Sequence, residues 1–162
     1  MSDQGLDRVA ALESSVLLRG FTEVGIRILA SVCEQRSVGR GTYAFRAGEE
    51  SNALAFIARG TVHMVPREGG AALGELGPGD TMGGLALLFG GEHLLSALAA
   101  TDVELLLLSR ERWDGLQKQK PQAALKLQLA LAQDLCDRIR EAKGPLREFL
   151  AWQICRRPVE NR

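Results

Sequence analysis

The spacing of glycine constrains this chain more than any other feature. After Ser37, glycines stand at Gly39, Gly41, Gly48, Gly60, Gly69, Gly70, Gly74, Gly77 and Gly79, and they leave segments of strand length, about 4 to 8 residues, between turns. Few helices survive that punctuation, so strands dominate here, joined by turns where glycine adopts positive φ without strain. The densest part is Leu76 to Asp102, LGPGDTMGGLALLFGGEHLLSALAATD: a glycine turn at Gly77-Pro78-Gly79-Asp80, a second at Gly83-Gly84, a short apolar helical run, a third at Gly90-Gly91, then another apolar run.

Helical spacing frames this glycine-rich centre on both sides. Met1 to about Leu18 reads as one short helix carrying Leu6, Val9, Ala10, Val16 and Leu17, with Leu12 off the main face. Thr22 is the expected N-cap of a helix through Ile26, Leu29, Ala30 and Cys33, weakened at Gly25 by about 1 kcal/mol relative to alanine. On the other side, Val103 to Leu108 is an apolar closing strand, and Ser109 caps a helix from Arg110 to Gln117. Trp113 in that helix reads as a core anchor rather than a ligand-stacking ring. Pro121 to Ala142 predicts a long helix of about 33 Å. It carries one stripe of Leu125, Leu129, Ala132, Cys136 and Ile139 and an adjoining one of Ala124, Leu127, Leu131 and Leu135. Together they span about 200°, where roughly 100° is enough to cover one core. One stripe is therefore left without a partner in the core, unless the N-terminal helices cover it. Gly144-Pro145 ends the helix, and Pro145 to Arg156 restarts as a short amphipathic one with Leu146, Phe149, Leu150 and Ile154 on one side.

Composition narrows the function. The chain has 162 residues, 46% of them hydrophobic, enough for one core with an appendage. Twenty basic residues balance twenty acidic ones, so there is no global field to draw the chain to nucleic acid or an anionic membrane. No run approaches the roughly 20 apolar residues of a membrane span, and the N-terminus lacks a signal-peptide pattern, so a cytoplasmic location is expected. Cys33, Cys136 and Cys155 are odd in number, lie far apart and form no C-x-x-C, which predicts buried free thiols rather than a disulfide framework or a zinc site. His63 and His93 are the only histidines, and no nucleophile, metal-ligand spacing or phosphate loop accompanies them. Catalytic residues, metal ligands and cofactors are accordingly expected to be absent.

Several of these segments recur together in one known family. Gly41-Thr42-Tyr43-Ala44-Phe45-Arg46-Ala47-Gly48-Glu49 resembles the Gly-x-x-(Leu/Ile)-Phe-x-x-Gly-(Asp/Glu) opening of the cyclic-nucleotide-binding β-roll family. Ala53 to Val62 resembles its strand ending in x-x-Gly-x-Val, and Pro78-Gly79-Asp80 its turn. Met82-Gly83-Gly84-Leu85-Ala86-Leu87 and Glu92-His93-Leu94-Leu95-Ser96-Ala97 align without a gap to the family's phosphate-binding cassette, Phe-Gly-Glu-(Leu/Ile)-Ala-Leu and Pro-Arg-x-Ala-(Thr/Ser)-Val. The ordered set, from about Phe21 to Arg140, implies an α+β fold: an antiparallel β-roll of the double-stranded β-helix or jelly-roll type, with N-terminal helices, a long C-terminal helix and no long exposed sheet edge. The implied organisation is an N-terminal helical segment at 1–20, the roll at 21–120, and the long helix with its tail at 121–162. A DNA-reading helix-turn-helix would need more chain than remains after Arg156.

The resemblance also places a ligand site, and here the chain departs from it. In the family the glutamate reads the ribose 2′-hydroxyl and the arginine neutralises the cyclic phosphate, which the short helix meets with its free N–H groups. Gly84 and His93 stand at those two positions. At about 1.5 to 3 kcal/mol for each charge-assisted contact, losing both weakens cyclic-nucleotide binding by on the order of a hundredfold to ten-thousandfold. His93 recovers part of this only when it is imidazolium. The ligand-binding set implied is Met82, Gly83, Gly84, Leu85, Ala86, His93, Leu94, Leu95 and Ser96, in a pocket made more apolar by Leu94 and Leu95. His63, on a predicted strand, reads as half-exposed, although some β-roll relatives use a histidine there for gas sensing. In the family the long helix lids the pocket and pairs with its twin, which assigns Leu125, Leu129, Ala132, Cys136 and Ile139 to a homodimer seam. Two functions remain open. One is a stand-alone sensor of a small effector, either a cyclic nucleotide held weakly or a different ligand, that signals through the long helix to a downstream protein. The other is a ligand-free dimerisation or interaction module in which Leu94 and Leu95 fill the cavity. A pocket large enough for a nucleotide separates them.

Overall fold

The computed structural model describes residues 5–66, 68–146, 148, 149 and 152; the side chain of Ala86 and the tail residues Leu150, Ile154, Cys155 and Arg156 lie outside them. The N-terminal helix α1 runs Arg8–Glu13, opened by the Asp7 carboxylate, which accepts from the N–H groups of Val9 and Ala10 at 3.0 and 3.1 Å. It does not continue to Leu18 as expected. The chain turns at Ser14-Ser15 into a separate 3-10 turn, Val16–Leu18. There the Val16 N–H donates to the carbonyl of Gly79 at 3.1 Å, and a Cβ on Gly79 would lie 2.7 Å from the Ser14 oxygen. The break rotates the apolar face, so Leu12 is fully buried while Val16 is 47% exposed. Helix α2, Glu23–Val32, follows the expectation: Thr22 Oγ1 accepts from the Gly25 N–H at 3.2 Å, and Ile26, Leu29, Ala30 and Cys33 are buried.

Eight strands then form the roll: β1 (Glu34–Val38), β2 (Tyr43–Phe45), β3 (Ala53–Arg59), β4 (Val62–Val65), β5 (Gly74–Leu76), β6 (Thr81–Met82), β7 (Ser96–Ala99) and β8 (Val103–Ser109). One antiparallel sheet is ordered β1-β8-β3-β6 and the other β2-β7-β4-β5. The outer strands β1, β6, β2 and β5 have five, two, three and three residues, so the exposed edges are short. In the first sheet β8 lies beside β3 with Leu105 opposite Ile57 and Leu106 opposite Phe56. Side chains alternate across a strand. Leu105 and Ile57 therefore enter the space between the sheets with Val62, Ala97 and Ala99, while Leu106, Phe56, Leu54 and Leu108 face the helical layer. Both faces of β3 and β8 are covered along most of their length, which explains why Leu105 to Leu108 is continuously apolar.

Ser109 Oγ caps α4, Arg110–Gln119, by accepting from the Arg112 N–H at 3.3 Å; this helix runs two residues past the expected Gln117. Trp113 is 2% exposed and anchors it in the helical core. Helix α5, Pro121–Glu141, packs on α4 and the 3-10 turn through Ala124, Leu127 and Leu131. The second stripe stays outside: Leu125 and Leu129 are 55% and 62% exposed, Ala132 and Cys136 are exposed, and Ile139 is half-buried. The N-terminal helices do not cover it. Cys136 thus departs from the buried-thiol expectation, whereas Cys33 conforms to it, its thiol pushed up to about 12 by burial against the opposing pull of Arg8 and Arg112. Beyond Gly144, residues Pro145, Leu146, Glu148, Phe149 and Trp152 are helical.

Candidate functional site

The cassette is built on two glycine turns. Met82 closes β6 opposite Ala55 and is 5% exposed in the space between the sheets; its side chain belongs to the core. Gly83 follows at φ 81°, where a Cβ would stand 2.4 Å from the Ala53 carbonyl oxygen. Any side chain there meets backbone. Gly84 then opens helix α3, Gly84–Phe89. A Cβ on Gly84 would lie 2.6 Å from Leu131 Cδ2, so α5 rests directly on the start of α3. Leu87 is fully buried in the helical core, while Leu85 and Phe89 are 49% and 82% exposed.

The loop after α3 is tied to the segment before β3. The Ser51 N–H donates to Gly91 O at 2.8 Å, the His93 N–H to Glu49 O at 2.9 Å, and the Gly48 N–H to His93 O at 2.8 Å. Ser96, 1% exposed, accepts from the Ala47 N–H at 2.8 Å through its Oγ, so its hydroxyl is engaged in holding β7 to the Ala47 turn. The His93 ring stacks on Phe45 with centroids 3.8 Å apart and planes 9° from parallel. Burial pushes its pKa below the ordinary 6.5, and Glu49 pulls weakly the other way. The environment favours neutral imidazole and disfavours the charge that would replace a guanidinium. Leu94 is 90% exposed and fills no cavity, whereas Leu95 is half-buried.

Three features of this site went unread in the sequence. Leu131 over Gly84 and Phe45 under His93 are long-range contacts, although the periodicity of α5 had assigned Leu131 to its buried stripe. The third is Ser51, buried beside Gly83 with no partner for its hydroxyl among the described residues. Two surface concavities, of about 410 and 260 Å3, are lined by residues at and around α2, α4 and α5 and include none of Met82 to Ser96. Among the described residues no group of three or more His, Cys, Asp or Glu side chains is placed to hold a metal ion. His63 is half-exposed on β4, its Nε2 3.3 Å from Glu75 Oε2.

Residues 35–120, more than half of the chain, match the model of the cyclic nucleotide-binding domain. The chain belongs to that family. Over 151 residues it is 33% identical to the cyclic AMP receptor protein of Thermus thermophilus, covering 91% of this chain and 68% of that protein. It is 32% identical over 133 residues to glutaminase 1 of Bradyrhizobium diazoefficiens, covering 79% of this chain but 21% of that much longer enzyme. A crystal structure of a cyclic nucleotide-binding domain from Methylobacillus flagellatus superposes with a TM-score of 0.71 at 20% identity, over 94% of this chain and 85% of that one. The α+β roll with a long C-terminal helix is thus the fold of a cyclic nucleotide-binding domain, and membership points to a regulatory role. No helix among the described residues is long and apolar enough to cross a membrane.

Proposed function

We propose that this chain is a regulatory β-roll whose cassette, Met82 to Ser96, takes a small effector and passes its presence to α5, with cyclic AMP bound weakly if at all. The observation that carries this reading is the contact between Gly84 and Leu131. With Leu131 Cδ2 2.6 Å from where a Cβ would stand, anything added at the start of α3 must displace the Leu131 side chain or the helix that carries it. A ligand that binds the two positions of α5 unequally shifts their populations. Weak cyclic-nucleotide binding is supported by Gly84 and His93, which stand where the family has a carboxylate and a guanidinium, and by the stacking of the His93 ring on Phe45.

The output is proposed to be a homodimer formed along α5, together with a downstream protein partner and no nucleic-acid contact of its own. Leu125, Leu129, Ala132, Cys136 and Ile139 follow one another at alternating intervals of 4 and 3 residues. That is the heptad spacing of a two-helix seam. The segments 1–20, 21–120 and 121–162 then act as brace, sensor and output in a cytoplasmic protein.

A second reading, the ligand-free module, is favoured by the packing between the sheets and by Leu131 occupying the space over Gly84. It does not draw on Leu94, which is exposed. A thermal-shift panel of cyclic nucleotides, other nucleotides and apolar acids separates the two. A true effector at about a hundred times its Kd adds about 2.7 kcal/mol of stability by mass action. A rise in Tm with one class supports the sensor; a flat panel at millimolar concentrations supports the module.

A further inference from the structure

We propose that the groove between α2 and the α4–α5 junction is a second ligand site, separate from the cassette, that takes a small amphipathic carboxylate. Its volume of about 410 Å3 falls within the range of small-molecule pockets, about 300 to 1,000 Å3. Phe21, Val24 and Ile28 line one wall, and Lys120, Ala123 and Lys126 the other. It neighbours the 260 Å3 concavity, with which it shares Ile28, Gln119 and Lys120 as lining residues, so an extended tail has a second apolar hollow within reach.

The charge of the lining selects the head group. The ionisable side chains of the larger groove are Lys120 and Lys126, both cationic. Lys126 Nζ donates to the Gly20 carbonyl at 2.7 Å and lies 4.9 Å from the centre of the Phe21 ring. These neutral partners fix the ammonium at the edge of the apolar wall and leave its charge without a carboxylate among the described residues. Arg112, in the smaller concavity, is already paired with Glu34 and Val32 O and contributes no free charge. An anion with an apolar tail satisfies both parts of the lining: the head meets the two lysines, and the tail covers Val24, which is 67% exposed, together with Ile28.

The position gives such a ligand a lever. At about 100° per residue, Lys126 and Ala123 sit roughly 100° and 160° around α5 from Leu125, so they occupy a third side, neither the one buried against the roll nor the one carrying the exposed heptad stripe. A ligand there bridges α2 to the first turns of α5 without competing for that stripe or for the cassette.

The test uses octanoate titrated into the isotope-labelled full chain, with amide shifts as readout. Saturable shifts are expected at Phe21 to Ile28 and Gln119 to Lys126, with a Kd on the order of 1 mM or below for a ligand of this size. Octanamide, which has the same length without the charge, should bind about tenfold more weakly. Lys120→Gln, which gives up no side-chain hydrogen bond or ion pair among the described residues, should bring the two ligands closer together. Val24→Asp, at an exposed position, should abolish binding with the fold intact. The proposal is overturned if octanoate produces no saturable shifts, if the shifts fall at Met82 to Ser96, or if the acid and the amide bind equally. A negative result here leaves the cassette reading untouched, because the two sites share no residue.

Discussion

Gly83 and Gly41 both have positive φ, 81° and 79°, yet their surroundings differ completely. A Cβ at Gly83 would lie 2.4 Å from a carbonyl oxygen, whereas at Gly41 nothing stands within 4 Å. Gly41→Ala therefore bears only the left-handed backbone strain, about 1 kcal/mol, and Gly83→Ala adds a clash with fixed backbone, for a total of about 3 kcal/mol. Thermal melts should fall by about 3 °C and about 10 °C respectively. His93 makes a second prediction at this scale. Its folded pKa is depressed, so just below the ordinary 6.5 the unfolded chain holds more protons than the folded one, and stability falls as pH falls through that window. Urea titrations between about pH 7.5 and 5.5 should show a shallower loss for His93→Gln than for the wild type. The same depression moves any gain in phosphate affinity from a charged His93 to pH values below those expected of a free imidazole.

Helix α5 has two apolar faces with separate tests. On the inner face, Gly84→Ala pushes a methyl into Leu131 and should be destabilising by about 1 to 3 kcal/mol. Leu131→Ala opens a cavity and should cost about 3 kcal/mol. In the double variant the new methyl has room, and alanine is the better helix former by about 1 kcal/mol. Chemical denaturation should therefore give a double variant more stable than Leu131→Ala alone; strict additivity would show that α5 does not rest on Gly84. On the outer face, Leu129→Lys should leave the unfolding of the single chain nearly unchanged, because Leu129 is 62% exposed. It should turn a dimer at tens of micromolar into a monomer by sedimentation equilibrium, and it should prevent oxidative cross-linking through Cys136, which a parallel seam places opposite its twin. Both faces were legible in the sequence, since a helical stripe is a local pattern. Local signals likewise located α2, α4 and most of the strands, through Thr22, Ser109 and the glycine turns. What α5 crosses was not legible. The Gly84–Leu131 contact joins residues far apart in the chain, and no periodicity specifies it. Leu94 misled for a related reason: an apolar residue in a loop points wherever Gly90 and Gly91, at φ 74° and 113°, turn the backbone.

At the scale of the whole molecule, the sheet of β1, β8, β3 and β6 is a wall shared by two cores, with Leu105 and Ile57 in one and Leu106 and Phe56 in the other. Neither the roll nor the helical layer can open alone without stripping one face of that wall. The amide protons of β8 and the facing part of β3 should therefore exchange with solvent deuterium only when the entire chain unfolds, and their protection should match the global unfolding free energy. Amides of α3 and of the last turns of α5, outside the wall, should exchange through smaller openings. A domain that answers a ligand needs this contrast, with a slow frame to hold the shape and faster segments free to take a second position. Deuterium uptake followed residue by residue would locate the boundary between the two, and it should fall at Gly83, where the backbone leaves the wall and turns into the cassette.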